Sequence, residues 1–367
     1  MIKAILISSL FIFNAVHAQE HPGLKLIFTG DIMGHDSQIA SALETGKKGY
    51  DYDPCFALLK PYISSADISI GNLELTLAGP PYKGYPRFSS PDELGEALSN
   101  AGFDVLLTAN NHALDRNKQG LERTIEQLDE KGIIHIGTYA NEYQRAASYP
   151  LILEKNGIRL ALLNYTYGTN GLKVETPNIV NYIDKEQIAT DLEKATKAEP
   201  DFTIVTLHWG KEYELTENKD QQALADYILS HGADAIIGSH PHVVQPITAS
   251  QSGEIIVYSM GNFISNQRSR YRDGGISVEL ELEKSKQGTF IRRHAYLPVW
   301  VYKRAVDNAV RFELVPASID RSIADHLQMP EEDFRKMKTF LNDTRTQLRS
   351  HPEVEAYWMY ADDRLDK

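Results

Sequence analysis

The stretch Ala235–Gln245, AIIGSHPHVVQ, decides the fold. Three apolar residues, Ala235, Ile236 and Ile237, run into Gly238. Two histidines in H-x-H spacing follow, His240 and His242, with Pro241 fixing the backbone between them. A short apolar strand that stops at glycine and hands over to imidazoles presents side chains at the rim of a sheet, where functional residues concentrate. Five further segments are built the same way. Leu24–Thr29 leads to Gly30-Asp31, Asp67–Gly71 to Asn72-Leu73-Glu74, and Asp104–Thr108 to Ala109-Asn110-Asn111-His112. Asp201–Leu207 leads to His208-Trp209-Gly210, and Glu254–Ser259 to Met260-Gly261-Asn262-Phe263.

Helical segments lie between these strands. Pro54–Ile63 reads as a short helix, Pro91–Ala101 as one stopped by Gly102, and Lys118–Lys131 as one stopped by Gly132. Asp184–Lys197 carries acidic residues at its front and lysines at its rear, as the helix dipole prefers, and Gln221–His231 ends at Gly232. Leu151–Lys155 and Arg159–Tyr165 flank Asn156-Gly157, a hairpin signal. Strands alternating with helices define an α/β layered domain, in which ligands sit beyond the carboxyl ends of the strands. Past residue 270 the pattern changes. Ile276–Glu283 alternates like an edge strand, Arg292–Val301 reads as another strand, and Pro330–Leu348 as a charged helix. The expected organisation is a domain over 24–270 and an extension, 271–367, packed on it.

Composition narrows the function. The chain has 367 residues, 42% apolar and 24% charged, enough for a sizeable core. Its formal net charge of −12 argues against nucleic acid or an anionic membrane as a general partner. Action on an anionic polymer would need a local cationic patch or a metal. Residues 1–18 have the form of a secretory signal peptide: Lys3, an apolar run over Ala4–Val16, and Val16-His17-Ala18 as a cleavage site. The apolar run is shorter than the roughly 20 residues of a membrane span, so the expectation is an exported protein, periplasmic or extracellular, with no stable membrane anchor after cleavage. Cys55 is the only cysteine, which rules out an intrachain disulfide; its apolar setting reads as a buried small side chain.

The strand-end set Asp31, Glu74, Asn111, His112, His208, His240 and His242 combines carboxylate, amide and imidazole. Those donors suit one or two divalent ions such as Mn, Fe or Zn, and a carboxylate can bridge two ions about 3.5–4 Å apart, as in hydrolytic two-metal sites. The absence of a cysteine from the set argues against a closed structural zinc site. No G-x-S-x-G elbow, H-E-x-x-H helix or P-loop occurs, and no G-x-G-x-x-G follows the first strand. The Pro-, Gly- and Tyr-rich loop Ala78–Ser90 offers Lys83 and Arg87 as substrate contacts, and Asn262 offers a third.

GDIM (30–33), NLE (72–74), TANNHALD (108–115), HWGKEY (208–213), GSHPHVVQP (238–246) and YSMGNF (258–263) come in an order and spacing that resemble the CapA family of bacterial poly-γ-glutamate capsule synthesis proteins, over about residues 24–265. That family resembles calcineurin-like metallophosphoesterases, which implies two central sheets flanked by helices and metals at the strand ends. The resemblance gives Asp31, Glu74, Asn111, His208, His240 and His242 as metal ligands, and His112 as general acid or transition-state stabiliser. It also exposes a departure: Met33 stands where the first motif has histidine. One cation position then keeps Asp31, Glu74 and His242, unless His35 turns in. Asp115 is placed to fix the His112 tautomer, and Glu212 to act as a base or bind an amine. Three functions follow as expectations: a hydrolase or transferase on a γ-glutamyl amide polymer or γ-linked wall peptide, a phosphoesterase on an exported ester, or a non-catalytic factor that binds anionic polymer within capsule or envelope machinery.

Overall fold

A computed structural model describes residues 23–45, 49–250, 253–306 and 309–356; the expected signal peptide, 1–18, lies outside the described residues. The chain opens with β1 (Leu24–Ile32), α1 (Asp36–Thr45), α2 (Asp53–Phe56), α3 (Lys60–Ile63) and β2 (Ile68–Leu73). It continues through α4 (Glu93–Ala101), β3 (Val105–Leu107), α5 (Asn117–Glu130), β4 (Ile134–Ile136), β5 (Thr138–Tyr139) and α6 (Glu142–Ser148). Next come β6 (Leu151–Lys155), β7 (Ile158–Thr166), β8 (Ile179–Val180), α7 (Lys185–Lys197), β9 (Phe202–His208), α8 (Lys219–Ser230) and β10 (Ala235–Ser239). The last elements are β11 (Ile247–Ala249), β12 (Ile255–Val257), β13 (Asn262–Ile264), β14 (Gly274–Ser285), β15 (Gly288–Val306), β16 (Ala309–Pro316), α9 (Arg321–His326) and α10 (Glu331–Gln347).

Two sheets stack face to face. The first runs β16-β15-β14-β1-β2-β3-β4, with β13 also on β1; the second runs β11-β12-β10-β9-β7-β6. Strand periodicity explains the layers. Leu24, Leu26 and Phe28 of β1 face Leu160 and Leu162 of β7, Phe202 and Ile204 of β9, and Ala235 and Ile237 of β10 in one inter-sheet core. Ile27 and Ile32 point the other way, onto α1 to α4. Leu163, Val205 and Ile236 point outward from the second sheet onto Ile188 and Leu192 of α7 and Ala225 and Ile228 of α8. Each such fully buried aliphatic side chain contributes on the order of 1.5–3 kcal/mol. The result is the layered α/β sandwich, two central sheets flanked by helices. β1 to β4 are parallel, as are β7, β9, β10 and β12, so their carboxyl ends gather at one rim.

Two expectations need correction. Pro54–Ile63 is two short helices, not one, because Pro61 has no amide hydrogen to continue the first and instead opens the second. Ile276–Glu283 belongs to β14, which is hydrogen-bonded to β1 on one side and β15 on the other, so it is no edge strand. Its alternating polar face is buried by pairing: Glu279 lies 3.0 Å from Lys25 and also contacts Arg293. Residues 271–367 thus supply β14, β15 and β16 to the first sheet, and α9 and α10 cover Trp300 and Tyr302 on it.

Candidate metal centre and active site

Close backbone approaches set the rim. A Cβ at Gly30 would sit 2.0 Å from the Gly261 carbonyl oxygen, so β1 and the segment entering β13 meet only because that residue is glycine; the next amide, Asp31, donates to the same oxygen at 3.0 Å. At Gly238 a Cβ would lie 2.1 Å from the Tyr258 carbonyl oxygen. Beyond it the chain turns sharply, with φ of +103° at His240 and +58° at His242. Left-handed backbone at a non-glycine residue costs about 1–3 kcal/mol and persists where the surroundings impose it. Here Trp209 N–H donates to the Ser239 carbonyl at 3.1 Å and Tyr213 N–H to the Pro241 carbonyl at 2.8 Å, bracketing the turn.

The turn and the strand ends converge on Glu74. The candidate ligand atoms of Asp31, Glu74 and His242 lie within 4.8 Å of one another, and so do those of Glu74, His208 and His240. Nε2 of His208, His242 and His112 stand 3.7, 3.8 and 3.9 Å from Glu74 Oε1. Those distances exceed a hydrogen bond but match donors spaced about a shared cation, whose ligands sit near 2.0–2.2 Å. Every one of these side chains is buried. Among the described residues, neither Glu74 oxygen, nor Asp31 Oδ2, nor His240 Nδ1 has a hydrogen-bond partner. Buried carboxylate oxygens without donors are costly, and a divalent cation removes that cost, so the donor set fits the metal.

Electrostatics agree. Burial, and then the neighbouring imidazoles, hold His208 well below the usual histidine range and His240 down at about 3, so both rings are neutral, as ligands must be. Burial, and then the Asp31 carboxylate, push the Glu74 carboxyl far above its ordinary range in the absence of a cation. Asn111 Oδ1 lies 2.9 Å from His208 Nε2, at the second group of donors.

The remaining sequence-derived residues fall in three places. His112 and Asp115 meet: Nδ1 is 2.7 Å from Asp115 Oδ2, and the Phe88 amide donates to the same oxygen at 2.6 Å. Asn262 is fully buried, its Oδ1 3.0 Å from His242 Nδ1 and its amide donating to the Arg272 carbonyl at 2.8 Å, so it orients a ligand ring. Glu212 is exposed and lines, with His112 and His242, a cavity of about 310 Å³ above the centre. Lys83 and Arg87 do not line that cavity. Lys83 pairs with Asp36 at 2.8 Å, Arg87 donates to the Asp115 carbonyl and to Asn117, and both border a separate cavity of about 540 Å³. Met33 is buried and lines the upper cavity. His35 joins neither donor group. Its Nδ1 lies 3.0 Å from Gln38 Oε1 and 3.2 Å from the Asn266 amide, its ring meets Phe88 edge-on, and burial draws its pKa to about 4.

Several further contributors were not singled out from the sequence. Asn72 donates to Asp31 Oδ1 at 2.7 Å; it stands in the NLE motif, where an amide two residues before a ligand carboxylate was a usable clue. Tyr167 lies 4.5 Å from the His240 ring, and Tyr213, Arg268 and Arg272 wall the cavity.

Fold and centre together define a layered α/β protein with a buried carboxylate–imidazole centre whose donors suit divalent cations. Residues 25–267 match the family described as bacterial capsule synthesis protein PGA_cap. The chain belongs to that family. It is 32% identical over 267 residues to the capsule biosynthesis protein CapA of Bacillus anthracis, covering 69% of this chain and 62% of that protein. It is 30% identical over 279 residues to the PGA biosynthesis protein CapA of Bacillus subtilis, covering 73% and 70%. Among solved structures, the calcineurin-like phosphoesterase YfkN of Bacillus subtilis is similar over 87% of this chain and 99% of that one, at 14% identity and a TM-score of 0.47. No helix among the described residues is long and apolar enough to cross a membrane.

Proposed function

We propose that this protein is an exported, metal-dependent hydrolase or transferase acting on γ-glutamyl amide bonds, in an anionic polymer or a γ-linked wall peptide. The observation that carries the reading is the Glu74 carboxylate, which accepts no hydrogen bond among the described residues and is ringed by Nε2 of His208, His242 and His112, the last of these paired with Asp115. Asp31, Glu74 and His242, and Glu74, His208, His240 and Asn111, would hold divalent cations, which when bound would supply Lewis acidity toward an acyl oxygen and lower the pKa of water. The chain's own residues do the rest. Asp115 fixes the His112 ring, its Oδ2 2.7 Å from Nδ1. Water adds to the γ-carbonyl carbon and gives a proton to His112 Nε2, the C–N bond breaks, and His112 Nε2 passes that proton to the departing nitrogen. The products are a γ-carboxylate and an amine; an acceptor amine in place of water makes the reaction a transfer.

Metal content of the purified protein tests this beside release of amines from γ-glutamyl oligomers, wild type against His240→Ala. About two equivalents of Mn, Fe or Zn per chain, with amine release lost in the variant, is the expected result. A protein that takes up no divalent ion yet still retains anionic polymer would instead be a binding factor of the capsule or envelope machinery. The two arginines beside the centre also suit a phosphate, which gives the phosphoesterase reading a specific observation in its favour. Turnover of phosphate esters with inhibition by inorganic phosphate, and no amine release, would establish it.

A further inference from the structure

The cavity above the centre carries unneutralised charges of both signs. On one wall, stretch 266–273 reads NQRSRYRD, three arginines in five residues of an acidic chain. Arg270 leaves the cavity to pair with Asp343 at 2.8 Å, while Arg268 and Arg272 line it. Arg268 donates to the Val301 carbonyl at 2.7 Å and lies over Trp300, which fixes it in place. Arg272 lies 4.3 Å over the Tyr213 ring, and its carbonyl is held by Asn262, the residue that orients His242. Glu212, next to Tyr213 in the chain, borders the same cavity. Among the described residues neither Arg272 nor Glu212 has an ion-pair partner within 4.0 Å, the other included. A guanidinium and a carboxylate flank one phenol ring without closing on each other, beside the donors that would face a reacting acyl group.

We propose that Arg272 and Glu212 form a subsite for an α-amino-acid head group, its carboxylate on Arg272 and its ammonium on Glu212. A planar guanidinium matches a carboxylate in a forked geometry, and a carboxylate opposite it completes recognition of a zwitterion. This rests on the γ-glutamyl reading above and sharpens it. In a γ-linked chain only the amino-terminal residue keeps both a free α-ammonium and a free α-carboxylate, carried on an α-carbon three bonds from the γ-carbonyl carbon. Interior residues keep the carboxylate alone, because their nitrogen is acylated. The subsite therefore selects a terminal γ-glutamyl residue and makes the protein act from a chain end.

Calorimetric titration of the metal-loaded protein with three compounds of similar size tests the proposal: glutamate, glutarate (no ammonium) and 4-aminobutyrate (no α-carboxylate). Glutamate binds at least about tenfold tighter than either, the weight of one charge-assisted contact. Glu212→Gln removes the advantage over glutarate without weakening glutarate itself. Arg272→Met removes the advantage over 4-aminobutyrate without weakening that compound. Equal affinities in the wild-type protein, no measurable binding of glutamate at about 10 mM, or variants that leave the pattern unchanged would overturn the subsite. Its failure and that of the hydrolase reading are separable. The binding pattern without any amine release removes only the reaction; amine release at equal rates from free and N-acetylated oligomers, without the pattern, removes only the subsite.

Discussion

The two groups of donors around Glu74 are unequal. His208 and His240, with Asn111 alongside, give one position two neutral imidazoles and an amide. Asp31 and His242 give the other a second carboxylate and one imidazole, and Met33, two residues beyond Asp31, lines the cavity above. Imidazole-rich sites favour Zn and Fe, and carboxylate-rich ones favour Mn or Mg, so on the proposed function the first position would hold a borderline metal tightly and the second a harder one more weakly. The lesson is that one side chain, Glu74, makes both positions possible, while the residues around it decide how far they differ.

Removing the shared residue breaks the comparison outright and has the largest expected effect. Glu74→Ala leaves neither position with a bridging carboxylate, and elemental analysis of that variant should find both equivalents gone. Cations at a thousandfold over their Kd add about 4 kcal/mol to stability. Chelation should therefore lower the melting temperature of the wild-type protein sharply and leave Glu74→Ala almost unmoved. A variant that keeps its metal and its response to chelation would show that the cations bind elsewhere.

His208→Ala cuts deeper on one side than the other. It strips the imidazole-rich position of a ligand and leaves Asp31, Glu74 and His242 in place. The outcome predicted is one weak equivalent that exchanges readily for Mn, measured by competitive titration with a metal indicator. Loss of both ions together would show that the two positions fill only as a pair.

Much of this was legible before any coordinates. Strand ends announced themselves because parallel strands buried on both faces read as apolar runs that stop at glycine or a polar cluster, as at Gly238 and His208. The ligands could be gathered from five separate strand ends because parallel strands in one layered fold share a rim. Other features depend on partners that local sequence does not reveal. The polar face of β14 reads as solvated until Lys25, more than 250 positions earlier, is seen against Glu279. Lys83 looked available for substrate, yet Asp36 occupies it. The 267–272 loop has no hydrophobic period, so nothing told Arg272, which faces the cavity, from Arg270, which does not.

Asp115→Asn separates proton handling from cation binding. The amide keeps the shape of the side chain, but the Phe88 amide and His112 Nδ1 then compete for one neutral oxygen, and the protonated ring loses its counter-charge. Turnover of a γ-glutamyl substrate falls by about 10–100-fold, while metal content stays at the wild-type level in both positions. A loss of metal with the activity would make Asp115 part of the cation site's support instead.

Met33→His sharpens the comparison with the smallest expected change, and in the direction of gain. Met33 is buried, its amide held by the Ile264 carbonyl at 2.9 Å, and its side chain lines the cavity two residues beyond Asp31. An imidazole there is more rigid than the thioether, and it adds a borderline donor to a position that has only one. The weaker equivalent should tighten by about tenfold, and its preference should move from Mn toward Zn, as read by titrating each metal into chelated protein. Tightening confined to that equivalent would show that Met33 sets the inequality. No change at either would mean that the backbone held at Met33 keeps any side chain there out of reach of the cation, and that the inequality comes from the Asp31–His242 side itself.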